Sequence, residues 1–195
     1  MCVVSEPLHL GIQGASPRKV LSVFKIRKYP DPILTTPAEP VTEFGPRLEQ
    51  IVEEMFLTMY QERGVGLAAP QVGISKRIFV INCEEDQPPE GEIALINPEI
   101  VSTEGEQYSD EGCLSFPGLF AKKKRAMKVT MRAQNVKGEW FEVTGEKLLA
   151  RALLHERDHL DGNIFVQDLE PVEFVKLRKD LETMKRNYKR AHARA

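Results

Sequence analysis

The chain has 195 residues, enough for one domain of ordinary size with a hydrophobic core and short tails. At 42% hydrophobic and 29% charged it has the composition of a soluble globular protein; a formal net charge of −2 argues against the whole molecule being a nucleic-acid binder, and no apolar run approaches the length of a membrane span. Cys2, Cys83 and Cys113 are an odd number in a chain that needs no staples, which predicts reduced thiols in an intracellular compartment and leaves any special cysteine for chemistry.

Residues 1–24 fit no signal peptide, because their apolar residues are scattered and no positive start leads into a continuous apolar core. We read them as an N-terminal extension, with import into an organelle left open and no ligand role for Cys2 or His9. A main domain is expected over 25–171 and a basic helix and tail over 172–195. Between residues 29 and 46 the chain is broken by Pro30, Pro32, Pro37, Pro40 and Pro46, which predicts an extended, loop-like course. Leu48, Ile51, Val52, Met55, Phe56 and Met59 then recur at helical spacing, giving an amphipathic helix that covers a sheet and stops at Gly64.

The segment GVGLAAPQVG, residues 64–73, is small, apolar and uncharged. Gly64 and Gly66 let another backbone approach closely, and Gln71 offers a side-chain amide to an oxygen; a tight turn into the next strand explains the segment equally well. Residues 77–83 and 93–101 read as strands. A polar loop, STEGEQYSD, is expected to lead into EGCLSFPG at 111–118. Beyond it, residues 122–134 and 138–143 alternate around a turn signal at 135–138, which predicts an antiparallel hairpin. The basic run at 122–125 reads as a solvated face or strand edge. Residues 163–169 suggest a short strand, and Pro171 opens a last helix. From Lys176 onward that helix and tail carry eight Lys or Arg against two acids, a face that either meets water or docks on something acidic such as ribosomal RNA.

The most informative stretch is LLARALLHERDHLDG, residues 148–162. A helix is predicted over about 146–160, with Thr144 as its N-cap and with Leu148 and Ala152 on the inward face that also carries the histidines. His155 and His159 are four residues apart, about one turn, so both imidazoles can grip one metal ion, and Glu156 can take a proton from a water bound there. The chain has only four histidines, and the position where a metzincin would supply its third is Phe165. Two kinds of third ligand remain. A glutamate from the C-terminal helix (Glu170, Glu173 or Glu182) would make a zinc endopeptidase, whereas Cys113, as a thiolate, would leave a divalent metal with a net positive charge and one open position for water. Cys113 is the better candidate, although a lone cysteine is more often an inert buried thiol.

Taken together, GVGLAAPQVG, EGCLSFPG and HERDHLDG, in this order and at these separations, resemble the peptide deformylase family, over roughly residues 25–170. The resemblance implies an α+β fold in which antiparallel strands pack around a central helix carrying the H-E-x-x-H motif. It implies that Cys113, His155 and His159 bind the metal, that Glu156 is general base and then general acid, and that the Gln71 side-chain amide and the Leu114 backbone N–H stabilise the oxyanion. Gly66 would contact the substrate backbone and Val65 would line the pocket for the first side chain. The implied metal is ferrous iron, replaceable by zinc, nickel or cobalt. The implied reaction is hydrolytic removal of the N-formyl group from nascent peptides that begin with formyl-methionine, in the cytoplasm and without a membrane partner. Phe120 departs from the pattern, since several relatives place a basic residue there near the substrate chain.

Overall fold

The structure, a computed structural model, describes residues 22–193; Cys2, His9 and nearly all of the expected N-terminal extension lie outside them. The proline-rich stretch is extended apart from one 3-10 turn, Pro32–Thr35, whose cap Asp31 accepts from the Ile33 N–H. Helix α1, Pro46–Gln61, starts on a proline that needs no hydrogen-bond partner at the first helical position. It ends at Gln61, three residues before the expected glycine: Arg63 takes the left-handed conformation, with its N–H on Tyr60 and the Gly64 N–H on Met59.

Five strands form one antiparallel sheet in the order β1-β2-β3-β6-β7: Gly66–Ala68, Ile78–Ile81, Ile93–Glu104, Lys128–Gln134 and Trp140–Glu146. A separate two-stranded sheet pairs β4, Gln107–Gly112, with β5, Phe120–Arg125. Alternation along the central strands sorts their side chains between two layers. Ile78, Val80 and Ile96 meet α1 through Met55 and Met59, while Phe79, Ile81 and Leu95 meet helix α2, Lys147–Leu160, through Leu153 and Leu160. A third cluster gathers Phe116, Phe165, Leu177 and Leu181, and it seats helix α3, Pro171–His192, against β5. No helix among the described residues is long and apolar enough to cross a membrane.

Several expectations give way to pairing that composition does not announce. The polar stretch after residue 101 is not a loop: Ser102, Thr103 and Glu104 pair with Thr130, Val129 and Lys128, and the chain then turns at Gly105 directly into β4. Pro98 is accommodated by a bulge beside Asn97, whose side-chain amide brackets the Val41 N–H and carbonyl. The expected hairpin forms between β6 and β7, but residues 122–125 belong to the other sheet. Residues 163–169 make a local turn instead of a strand, closed by Gln167, whose side chain accepts from the Ile164 N–H and whose own N–H reaches the Ile164 carbonyl. Thr144 does not cap α2; it stays in β7 with its hydroxyl on Thr130, and the capping position falls to Glu146. Leu148 is 51% exposed and not inward-facing like Ala152.

Leu153 carries much of the contact between α2 and the sheet and has no exposure. Leu153→Ala is expected to lower unfolding stability by about 2–5 kcal/mol, read from the midpoint of a urea titration at unchanged slope.

Candidate active site

Helix α2, edge strand β1 and the β4–β5 sheet with the loop between its strands enclose a cavity of about 510 Å³. The cavity exists because both sheets end here: β1 has no partner on its outer side, and β4 pairs only with β5. At its floor Cys113, half-buried just past the end of β4, comes against His155 and His159 from the last turns of α2. Their candidate ligand atoms all lie within 4.8 Å of one another, with Cys113 Sγ 3.3 Å from His159 Nε2. Among the described residues this is the only group of His, Cys, Asp or Glu close enough to hold one ion. The glutamates considered from the C-terminal helix are not in it; Glu173 instead accepts from the Lys122 N–H and pairs with Lys176.

The donor set suits a divalent cation. His155 places Nδ1 2.7 Å from a Glu111 carboxylate oxygen, so that nitrogen carries the hydrogen and Nε2 keeps its lone pair for a metal. Burial, joined by the charge of His155, pushes His159 well below the usual histidine range and keeps it neutral. Burial opposes a charge on His155 too, but hydrogen bonds to Cys113 and Glu111 overcome it and push its pKa up, so a cation held there would take the place of a proton. Glu156 lies beside the triad with 5% exposure and one carboxylate oxygen, Oε2, without a partner among the described residues. Burial pushes its pKa up to about 7. A β-carbon on Gly66 would sit 2.5 Å from Glu156 Oε1, so the glycine is the space that this carboxylate occupies. The close approach expected at Gly64 and Gly66 is thus met by the chain itself, through Leu114 and Glu156.

Gln71 is oriented by its own loop. Its side-chain oxygen accepts from the Ala68 N–H at 2.8 Å, which turns Nε2 toward Cys113 Sγ at 3.5 Å and Ser115 Oγ at 3.3 Å. Lys28 donates to the Leu114 carbonyl at 2.7 Å and anchors the segment after Cys113. Val65, 40% exposed, stands at the mouth together with Phe120, whose ring lies over Gly112 and is 67% exposed.

The sequence reading missed the charged support behind His155. Glu111 receives Arg125 through two hydrogen bonds at 2.7 and 3.0 Å, Arg151 at 2.9 Å, and His155. Burial would raise the Glu111 pKa, but the bonds from His155 and Arg125 outweigh it and hold the carboxyl well below its ordinary range. Arg125 also reaches Asp158, which lies beside His159 in the chain. The readable signal was strand alternation: Ala121, Lys123 and Arg125 share a face of β5, so half of the basic run points inward and is not solvated.

The family model described as polypeptide deformylase matches residues 23–175. A peptide deformylase of Acidobacterium capsulatum is 58% identical over 141 residues, covering 72% of this chain and 83% of the relative. One from Thermodesulfovibrio yellowstonii is 41% identical, covering 85% of this chain and all of the relative. Among solved structures, peptide deformylase from Plasmodium falciparum superposes with a TM-score of 0.83 at 40% identity, over 86% of this chain and 99% of that one. The Legionella pneumophila peptide deformylase gives 0.79 at 44% identity, over 87% and 99%.

Removing the Glu111 carboxylate leaves two guanidinium groups short of their anion inside the protein. Glu111→Ala is expected to cost about 3–5 kcal/mol of stability, measured by chemical denaturation at neutral pH.

Proposed function

The chain belongs to the polypeptide deformylase family, and on that premise we infer that Cys113, His155 and His159 hold the divalent ion with which it removes the N-formyl group from formyl-methionine at the start of newly made polypeptides. The observation that carries the assignment is the convergence of one thiol and two imidazoles within 4.8 Å, next to a buried carboxylate with one oxygen that has no partner among the described residues. The family resemblance implies ferrous iron as the ion, and a thiolate with two neutral histidines also suits zinc, nickel or cobalt in its place.

When bound, the ion supplies Lewis acidity that lowers the pKa of a water molecule and polarises the formyl carbonyl. Glu156 accepts the water's proton at its free Oε2 while the water oxygen attacks the formyl carbon. Gln71 Nε2 and the Leu114 N–H donate to the carbonyl oxygen as negative charge develops on it. Glu156 then returns the proton to the departing nitrogen, and the C–N bond breaks to leave formate and a free amine. A Glu156 pKa near 7 suits both transfers. Gly66 meets the substrate backbone, and Val65 borders the pocket for the first side chain. A ligating thiolate at Cys113 favours a reducing compartment, the cytoplasm. The basic outer face of α3, with Lys185, Arg186, Lys189 and Arg190, is where we place contact with ribosomal RNA as the nascent chain emerges.

The test is formate release from formyl-methionyl peptides, run anaerobically with added iron and repeated with nickel. Glu156→Ala is expected to keep its metal and lose turnover by roughly 10²–10⁴-fold, whereas Cys113→Ala loses the metal itself, as read by elemental analysis. Parental turnover in Glu156→Ala would overturn the role given to that carboxylate.

A further inference from the structure

Residues 27–29 are tied to both loops that carry oxyanion donors. Arg27 donates its N–H to the Gln71 carbonyl at 2.7 Å, and Tyr29 donates its own to the Ser115 carbonyl at 3.0 Å. Between them the Lys28 side chain crosses to the Leu114 carbonyl, with Nζ at 2.7 Å. Lys28 is half-buried in the cavity wall, and no carboxylate among the described residues pairs with it. The carbonyl it holds sits in a β-turn closed by the Phe116 N–H on the Cys113 carbonyl at 2.9 Å, on the central peptide of that turn. That peptide is the one whose orientation differs between type I and type II turns, so it can turn over while the turn stays closed. With Lys28 on the Leu114 carbonyl and Tyr29 on the next one, the rotation is blocked. The Leu114 N–H, at the head of the same turn, has no partner among the described residues.

We propose that Lys28 is a positioning residue for the oxyanion site: its ammonium, with the N–H groups of Arg27 and Tyr29 on either side, holds Leu114 and Gln71 so that their two donors meet on one oxygen. The inference rests on the deformylase reading, which makes the Gln71 amide and the Leu114 N–H the groups that face the developing negative charge. Such donors act only when set about 2.7–3.1 Å from the place where the oxyanion forms. Gln71 is aimed by the Ala68 N–H within its own loop, whereas Leu114 takes its direction from bonds to another part of the chain. A bond from an ammonium is charge-assisted and roughly twice as strong as one between neutral groups, which suits it to holding a peptide that could otherwise turn over. Without it the 114–115 peptide gains a second orientation, and the Leu114 N–H spreads over a range of directions. Lys28 acts through Leu114 and not on the reacting atoms, so its loss lowers stabilisation of the transition state and leaves substrate binding in place.

The experiment measures kcat and KM for formate release from formyl-Met-Ala-Ser by the full iron-loaded chain and by its Lys28→Met and Lys28→Arg variants. Bound iron is read by elemental analysis and kcat is taken per iron, so a fraction without metal cancels. Methionine keeps an unbranched stem and removes the donor, and arginine restores a charged one. Lys28→Met is expected to lower kcat about 10-fold, less than the roughly 10²–10³-fold of deleting an oxyanion donor outright, with KM held within about twofold. Lys28→Arg is expected to recover most of that loss. Parental kcat per iron in Lys28→Met overturns the proposal, as does a loss carried by KM, or a Lys28→Arg variant as impaired as Lys28→Met; each makes Lys28 a structural tie alone. Any of these in an active parental protein removes only the role of Lys28, whereas no formate from the parental protein removes the deformylase reading as well.

Discussion

The site depends on one buried carboxylate. Glu111 is 5% exposed and meets three cationic or proton-donating side chains at once: Arg125, Arg151 and His155. A lone carboxylate in that position would protonate or draw in water. Here its partners come from β5 and from two successive turns of α2, so satisfying one buried charge fastens the small sheet to the motif helix. The same contact sets the His155 ring with Nε2 turned to Cys113 and His159. Fold and ligand geometry are therefore a single constraint: the β4–β5 unit cannot shift without moving both Glu111 and the neighbouring Cys113.

Helix α2 divides its two faces between stability and chemistry. Leu153 and Leu160 lie in the core against the large sheet, while Arg151 and His155 line the cavity, His159 lies against Cys113, and Glu156 closes against β1. The space for Glu156 is set from across the cavity, where Gly66 has no β-carbon. Gln71 follows the same logic, since its own loop binds the side-chain oxygen and thereby aims the nitrogen. Each polar group in the site is held by a partner that fixes its direction, except for Glu156 Oε2, Arg151 Nη2 and His159 Nδ1, which remain without partners among the described residues.

Much of this was legible in the chain. The stripe of Leu48, Val52, Met55 and Met59 announced α1, and the i, i+4 histidines announced a candidate metal-binding face. What was misread shares one cause. Ser102–Glu104 pairing, the inward Lys123 and Arg125, and the turn at 163–169 are set by which segment lies alongside, and local composition records only what a segment is made of. Leu148 failed for a related reason: at its end of α2 the sheet no longer covers the helix, so an inward position opens onto the cavity mouth.

Three short motifs, by their residue types and order, brought forward the candidate ligands, base and oxyanion donors, because each of those roles demands a particular functional group at a particular local spacing. Which third candidate ligand lies beside the histidines, that a glutamate within EGCLS would be the buried anion, and that two arginines would converge on it were decided only by the tertiary structure. Those roles arise from contacts between residues far apart in the chain, 44 positions for Glu111 and His155 and 46 for Cys113 and His159. A charge is stabilised by the partners that surround it in space, and no local pattern in the chain states what those partners will be.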